Sequence, residues 1–227
     1  VPSGQYPDYH AKITTYAAIL IQQAHLIDPA VTAQTFAPVI DEDEASVFTY
    51  LDTASTRAGI AAISAKLAIG PIGIIGLGGT GAYILDLLAK TPVQQLHLFD
   101  GDTFQRHNAF RAPGAATLGQ LRATPYKVDH LAAQYGPMRT GIVAHPVNVG
   151  ASNLHELDAL HFVFLAIDDG PAKAIVISHL EAVGIAFIDV GMGIYETEGS
   201  LGGLVRTTLS RNDPGSRAAA RSGGSGA

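Results

Sequence analysis

The chain has 227 residues, 47% hydrophobic and 15% charged, a globular composition long enough for one large domain or two small ones at roughly 100–200 residues each. Fourteen basic against 20 acidic residues give a net charge of −6 without a long basic run, which argues against nucleic-acid or acidic-membrane binding as the main task. Cys is absent, which excludes disulfides, thiolate zinc sites and a cysteine nucleophile on this chain.

In chain order, Val1–His10 shows no basic stretch followed by an apolar one, so no signal peptide is read there. The first residue is not Met, as in a processed or trimmed product. From Tyr9 to Ile27 apolar residues recur at Ile13, Tyr16, Ala17, Leu20, Ile21, Ala24 and Leu26, the spacing of a helix. Pro29 and Pro38 punctuate the next stretch, and Asp41-Glu42-Asp43-Glu44 reads as a solvated acidic turn. A second helix is expected from about Thr56 to Leu67, with Ile60, Ile63 and Leu67 facing inward and Asp52, Ser55 and Thr56 as N-cap candidates.

From Pro71 short apolar strands alternate with helical stretches. Strands are expected at Ile72–Ile75, Gln95–Phe99, Thr140–Val147, Phe162–Ile167 and Ala186–Val190, and helices at Gly81–Lys90, Tyr126–Tyr135 and Pro171–Val183. That alternation predicts parallel βαβ units, an α/β fold with a Rossmann-like, doubly wound, mostly parallel sheet. The longest apolar runs fall far short of the ~20 residues of a membrane span, so a soluble, cytoplasmic protein is expected. Residues 1–69 read as an N-terminal helical region, 70–209 as the α/β domain, and 210–227, rich in Ser, Gly, Ala and Arg, as a flexible tail or linker.

Gly76-Leu77-Gly78-Gly79-Thr80-Gly81 matches G-x-G-x-x-G between a strand and a helix. There the glycines permit a tight turn and close backbone approach, and the helix N-terminus offers free N–H groups to phosphate. Asp100 closes the next strand, where a carboxylate suits a ribose hydroxyl. Asp102, Asn108, Arg111 and Lys127 come next, the two cations supplying the charge a triphosphate requires. Asp168-Asp169 ends the Phe162–Ile167 strand. A carboxylate at that sheet edge suits Mg²⁺, which takes one or two carboxylates plus phosphate oxygens. Together these residues favour ATP over NAD.

The run from Gly76 to Arg111, with Lys127 and Asp168, resembles the ThiF/MoeB/HesA family, relatives of the ubiquitin-activating enzymes, over about Ile72 to Met192. The resemblance implies MgATP-dependent adenylation of the C-terminal carboxylate of a ubiquitin-like or sulfur-carrier protein, by a homodimer. By position, Gly76, Gly78, Gly79 and Gly81 would form the phosphate turn and Asp100 would hold the ribose. Asp102 and Asp169 would border the nucleotide, Asn108, Arg111 and Lys127 would contact the triphosphate, and Asp168 would be the Mg²⁺-linked carboxylate. Arg57 is the candidate for an arginine that the family supplies from an N-terminal helix of the partner subunit.

The chain departs from the family pattern at Asp169, where an Asn is usual, and at Lys173, where an Arg is usual. It also lacks the zinc-binding and catalytic cysteines of many members. Either the reaction stops at the adenylate or the cysteine lies in a domain beyond the tail. Gly191-Met192-Gly193 reads as lining the acceptor's path or as a strand-ending turn. A dinucleotide oxidoreductase would use the same glycine turn and Asp100, but it would leave Arg111, Lys127 and Asp168 without a task. A non-catalytic scaffold of the same fold is the third reading.

Overall fold

In the computed structural model, residues 4–32 and 46–211 are described, and they fall into two units divided between these two stretches. The first unit is a helix, α1 (Tyr9–His25). Asp8 caps it, its side chain accepting from Ala11 N at 2.7 Å, which satisfies one of the orphan N–H groups of the first turn. The acidic turn at 41–44 lies outside the described residues, as does the tail beyond Arg211.

The second unit opens with two short helices, α2 (Thr53–Arg57) and α3 (Ala61–Ser64), and a 3₁₀ turn at Ala65–Leu67. The single helix expected over Thr56–Leu67 is therefore interrupted, because Gly59 adopts φ +69°, a left-handed conformation that ends a helix. Asp52 is the cap of α2, accepting from Ala54 N and Ser55 N. Ile60, Ile63 and Leu67, expected inward, are exposed.

The sheet is built from β1 (Ile72–Ile75), β2 (Leu96–Phe99), β3 (Ile142–His145), β4 (Phe162–Leu165), β5 (Ala186–Thr197) and β6 (Ser200–Ser210), in the order β3-β2-β1-β4-β5-β6. The first five strands run parallel and β6 is antiparallel to β5. The helices between them are α4 (Gly79–Ala89), α5 (Arg106–Ala109), α6 (Leu118–Ala123), α7 (Lys127–Tyr135) and α8 (Gly170–Val183). α5 and α6 are additions to the expected set. β5 extends well past Val190, so Gly191-Met192-Gly193 lies inside a strand and is not a turn.

Side-chain alternation sorts the parallel strands between two cores. Ile72, Ile74, Leu96 and Leu98 pack with Leu85 of α4 and with Val128 and Leu131 of α7. On the other face Ile75, Phe99, Val163 and Leu165 pack with Val176 and Leu180 of α8. Covered on both faces, β1 is buried at every residue, which is why it reads as a continuous apolar run.

Arg139 is 1% exposed. Its guanidinium donates to the carbonyls of Leu88, Thr91 and Val93 at the end of α4, and Nε donates to Thr140 O. It fixes the far end of the helix whose first turn carries the glycines, and burial lowers its pKa to about 10.

Candidate functional site

Strand order reverses between β1 and β4, and in open α/β sheets ligands bind at the carboxyl ends of the strands flanking such a point. A cavity of about 1070 Å³ lies there, lined by the glycine turn, the ends of β2 and β4, and the first turn of α8.

The glycine turn is shaped by contact. Gly76 has φ +87°, and a Cβ on it would come within 2.8 Å of Ala166 O, so only glycine fits. A Cβ on Gly81 would collide with the carbonyl oxygen of Gly76, and this absence lets α4 begin directly above the turn. Gly78 and Gly79 line the cavity, whereas Gly81 packs behind it.

Asp100, 7% exposed, ties the turn to β2. Its Oδ2 accepts from Leu77 N at 2.7 Å and its Oδ1 from Asp102 N at 2.9 Å. Lys127 Nζ donates to Asp100 at 3.2 and 3.3 Å and to Asp102 at 2.7 Å. Arg111 lies against the turn, its Cβ and Cδ 3.6 and 3.8 Å from where a Cβ on Gly79 would sit. Across the cavity Asp168 and Asp169 stand at the end of β4. Asp169 caps α8 by accepting from Ala172 N at 3.1 Å, while the Asp168 carboxylate, which lines the cavity, makes no hydrogen bond or ion pair among the described residues.

Thus twelve of the residues singled out from the sequence line one cavity: Gly76, Gly78, Gly79, Asp100, Asp102, Arg111, Lys127, Asp168, Asp169, Lys173, Gly191 and Met192. Asn108 does not line it, but is 3% exposed, with Oδ1 accepting from Gln105 N at 2.9 Å and Nδ2 lacking a partner among the described residues. Arg57, at the end of α2, does not line the cavity either.

Sequence reasoning missed Asp189 and Arg206. Asp189, 4% exposed, is 2.7 Å from Lys173 and 2.8 Å from Arg206. Its signal was a carboxylate inside the apolar run Phe187-Ile188-Asp189-Val190, since a charge is rarely buried without a partner.

Fold and site define a Rossmann-like α/β domain with a glycine turn and opposed carboxylates at its switch point. The chain belongs to the ThiF family, whose profile matches residues 54–213. A second profile, described as a domain of unknown function (DUF6791), matches residues 1–53.

Among solved structures the chain is similar to E. coli MccB with ATP at 14% identity and TM-score 0.55, covering 63% of this chain and 48% of that one. It is similar to the E. coli tRNA N6-threonylcarbamoyladenosine dehydratase TcdA in complex with AMP at 20% identity and TM-score 0.51, covering 63% and 64%. For PaaA the values are 19% and 0.53, covering 82% and 57%. At these identities the likeness is one of fold, and the chain spans less than two thirds of each of these proteins. No curated protein matched the chain. No helix among the described residues is long and apolar enough to cross a membrane.

Proposed function

We propose that the chain binds MgATP in this cavity and adenylates the C-terminal carboxylate of a ubiquitin-like or sulfur-carrier protein. The observation that carries the reading is the placement of Arg111 over the glycine turn with the unpaired Asp168 carboxylate opposite, in one cavity. ATP and AMP in the MccB and TcdA structures support a nucleotide there, and MccB's structure with MccA supports a polypeptide acceptor.

In this reading an oxygen of the acceptor carboxylate attacks the α-phosphorus. The bond from that phosphorus to the bridging oxygen breaks, and pyrophosphate leaves with the electron pair. The carboxylate is already ionised, so no general base is required and the protein contributes positioning and charge neutralisation. Arg111 and the N–H groups of the turn would meet the phosphates. Lys127 would exchange its contact with the exposed Asp102 for a phosphate oxygen, whereas Asn108, its Nδ2 buried without a partner among the described residues, does not line the cavity.

The residues fit Mg²⁺. No group of three or more His, Asp or Glu among the described residues forms a metal cage, and one free carboxylate plus phosphate oxygens is a usual Mg²⁺ set. Asp168 would hold that ion, whose contribution is to neutralise phosphate charge. The homodimer of the family is part of the proposal. Met192, Ile194, Leu201 and Val205, on one face of the β5–β6 ribbon by their pairing, are all more than 60% exposed, the kind of patch that interfaces cover.

ATP–pyrophosphate exchange with Mg²⁺ and a panel of ubiquitin-like carriers tests the reading. The expected result is carrier-dependent exchange that falls by at least about a thousandfold in Asp168→Ala. NAD(H) binding in the absence of ATP binding would overturn it in favour of an oxidoreductase.

A further inference from the structure

The cavity contains a second cationic corner, separate from the one facing the glycine turn. We propose that Lys173, braced by Asp189 and Arg206, receives the carboxylate of the acceptor; the proposal rests on the adenylation reading above.

Among the described residues, three cations line the cavity. Arg111 lies over the turn and Lys127 is held between Asp100 and Asp102. Lys173 is on the opposite side, on the first turn of α8, where its backbone N–H donates to Asp169 O at 2.9 Å. Its ammonium is 2.7 Å from Asp189 Oδ1, with the Lys173 side chain 13% exposed. That contact is an ion pair to a buried carboxylate oxygen. With one N–H turned toward Asp189, the other two donors of the ammonium remain available to a ligand. Arg206, reaching across from β6, donates to Asp189 Oδ2 at 2.8 Å.

At this corner one buried carboxylate, Asp189, faces two cations, of which Arg206 is 63% exposed at its side chain, while Asp168 and Asp169 line the same cavity. The corner adjoins Val190, Gly191 and Met192 on the wall of the cavity. That wall is low at Gly191, where the nearest neighbour of an added Cβ would be Arg206 Nη2 at 3.9 Å. An acceptor carboxylate must approach an already anionic polyphosphate. In a partly desolvated cavity that repulsion is large unless the incoming anion has a counter-charge of its own. Lys173 is the cation in position to supply it, and Asp189 keeps the long side chain from folding toward the phosphates.

Calorimetry on protein loaded with Mg²⁺ and α,β-methylene ATP, titrated with triglycine and with triglycine amide, tests the assignment. Wild type is expected to take the free acid about tenfold more tightly than the amide, a difference of about 1.4 kcal/mol. Lys173→Gln should bring the ratio to about one while changing the Kd for ATP less than about twofold, and Lys173→Arg should restore the preference. Equal binding of acid and amide by wild type overturns the proposal, as does a preference that survives in Lys173→Gln. A roughly tenfold loss of ATP affinity in Lys173→Gln would place the lysine on the nucleotide instead. Failure of wild type to bind ATP at all, seen before any peptide is added, overturns the nucleotide reading itself.

Discussion

Lys127 and Asp100 are 9% and 8% exposed at their side chains, whereas the Asp102 side chain is 68% exposed. The ammonium thus holds one buried and one solvated carboxylate, and the two contacts differ in weight. Removing one partner of a buried pair strands the other charge, at a cost of about 3–5 kcal/mol, while an exposed pair contributes about 1 kcal/mol or less. Lys127→Met is accordingly expected to lower the urea unfolding free energy by about 3 kcal/mol, and Asp102→Asn by less than about 1 kcal/mol. Adding Asp100→Asn to Lys127→Met should recover part of the loss, because the stranded charge is gone. Equal costs for the two single variants would show that Lys127 is not anchored on Asp100. Both residues were legible in the sequence as site members, because the motif names them. Their pairing was not, since it depends on how α7 lies across the end of β2.

At the scale of elements, the glycine turn and α4 illustrate how identical residues carry different loads. A Cβ on Gly78 would have no neighbour within 4 Å, whereas one on Gly81 would overlap the Gly76 carbonyl. Gly81→Ala must push α4 away from the turn, an overpacking cost of about 1–3 kcal/mol or more, and it should abolish ATP binding. Gly78→Ala should fold with stability within about 0.5 kcal/mol of wild type, any effect appearing in nucleotide affinity alone. Thermal unfolding with and without ATP separates the two; a stable, ATP-binding Gly81→Ala would refute the packing argument. The parallel strands were legible because burial on both faces makes them unbroken apolar runs. β6 was not. Gly202 and Gly203 interrupt its pattern, and its exposed residues Leu201, Leu204 and Val205 show no polar–apolar alternation. In the fold the ring of Tyr195 occupies the space over Gly202, a compensation between neighbouring strands invisible to either segment alone.

Across the whole second unit, two histidines make stability depend on pH in a defined direction. His97, on β2, shares a 3.0 Å contact with His145 of β3, whose other ring nitrogen is 3.2 Å from Glu156, while Gln95 faces the far nitrogen of His97 at 3.4 Å. Burial, then the neighbouring His145 charge, lowers the His97 pKa. His130, on α7, is stacked 3.8 Å from Phe104, and burial lowers its pKa as well. In the unfolded chain both titrate near pH 6.5. As pH falls through about 6.5 the unfolded state takes up protons that the folded state refuses, so stability falls until the lower folded pKa is reached. The carboxylates with lowered pKa, Asp52 and Asp86, act only nearer pH 4 and below, where protonation removes their contribution. Between pH 6.5 and 5 the two histidines should therefore give a slope of at most about 1.4 kcal/mol per pH unit each. Because β2 and α7 belong to one packed unit, both are lost in a single cooperative transition. Urea midpoints measured from pH 7.5 to 5 should fall, and His97→Gln with His130→Phe should flatten the fall without removing the Phe104 stack. A wild-type midpoint unchanged across that range would show that both imidazoles accept protons as readily in the folded chain as in the unfolded one.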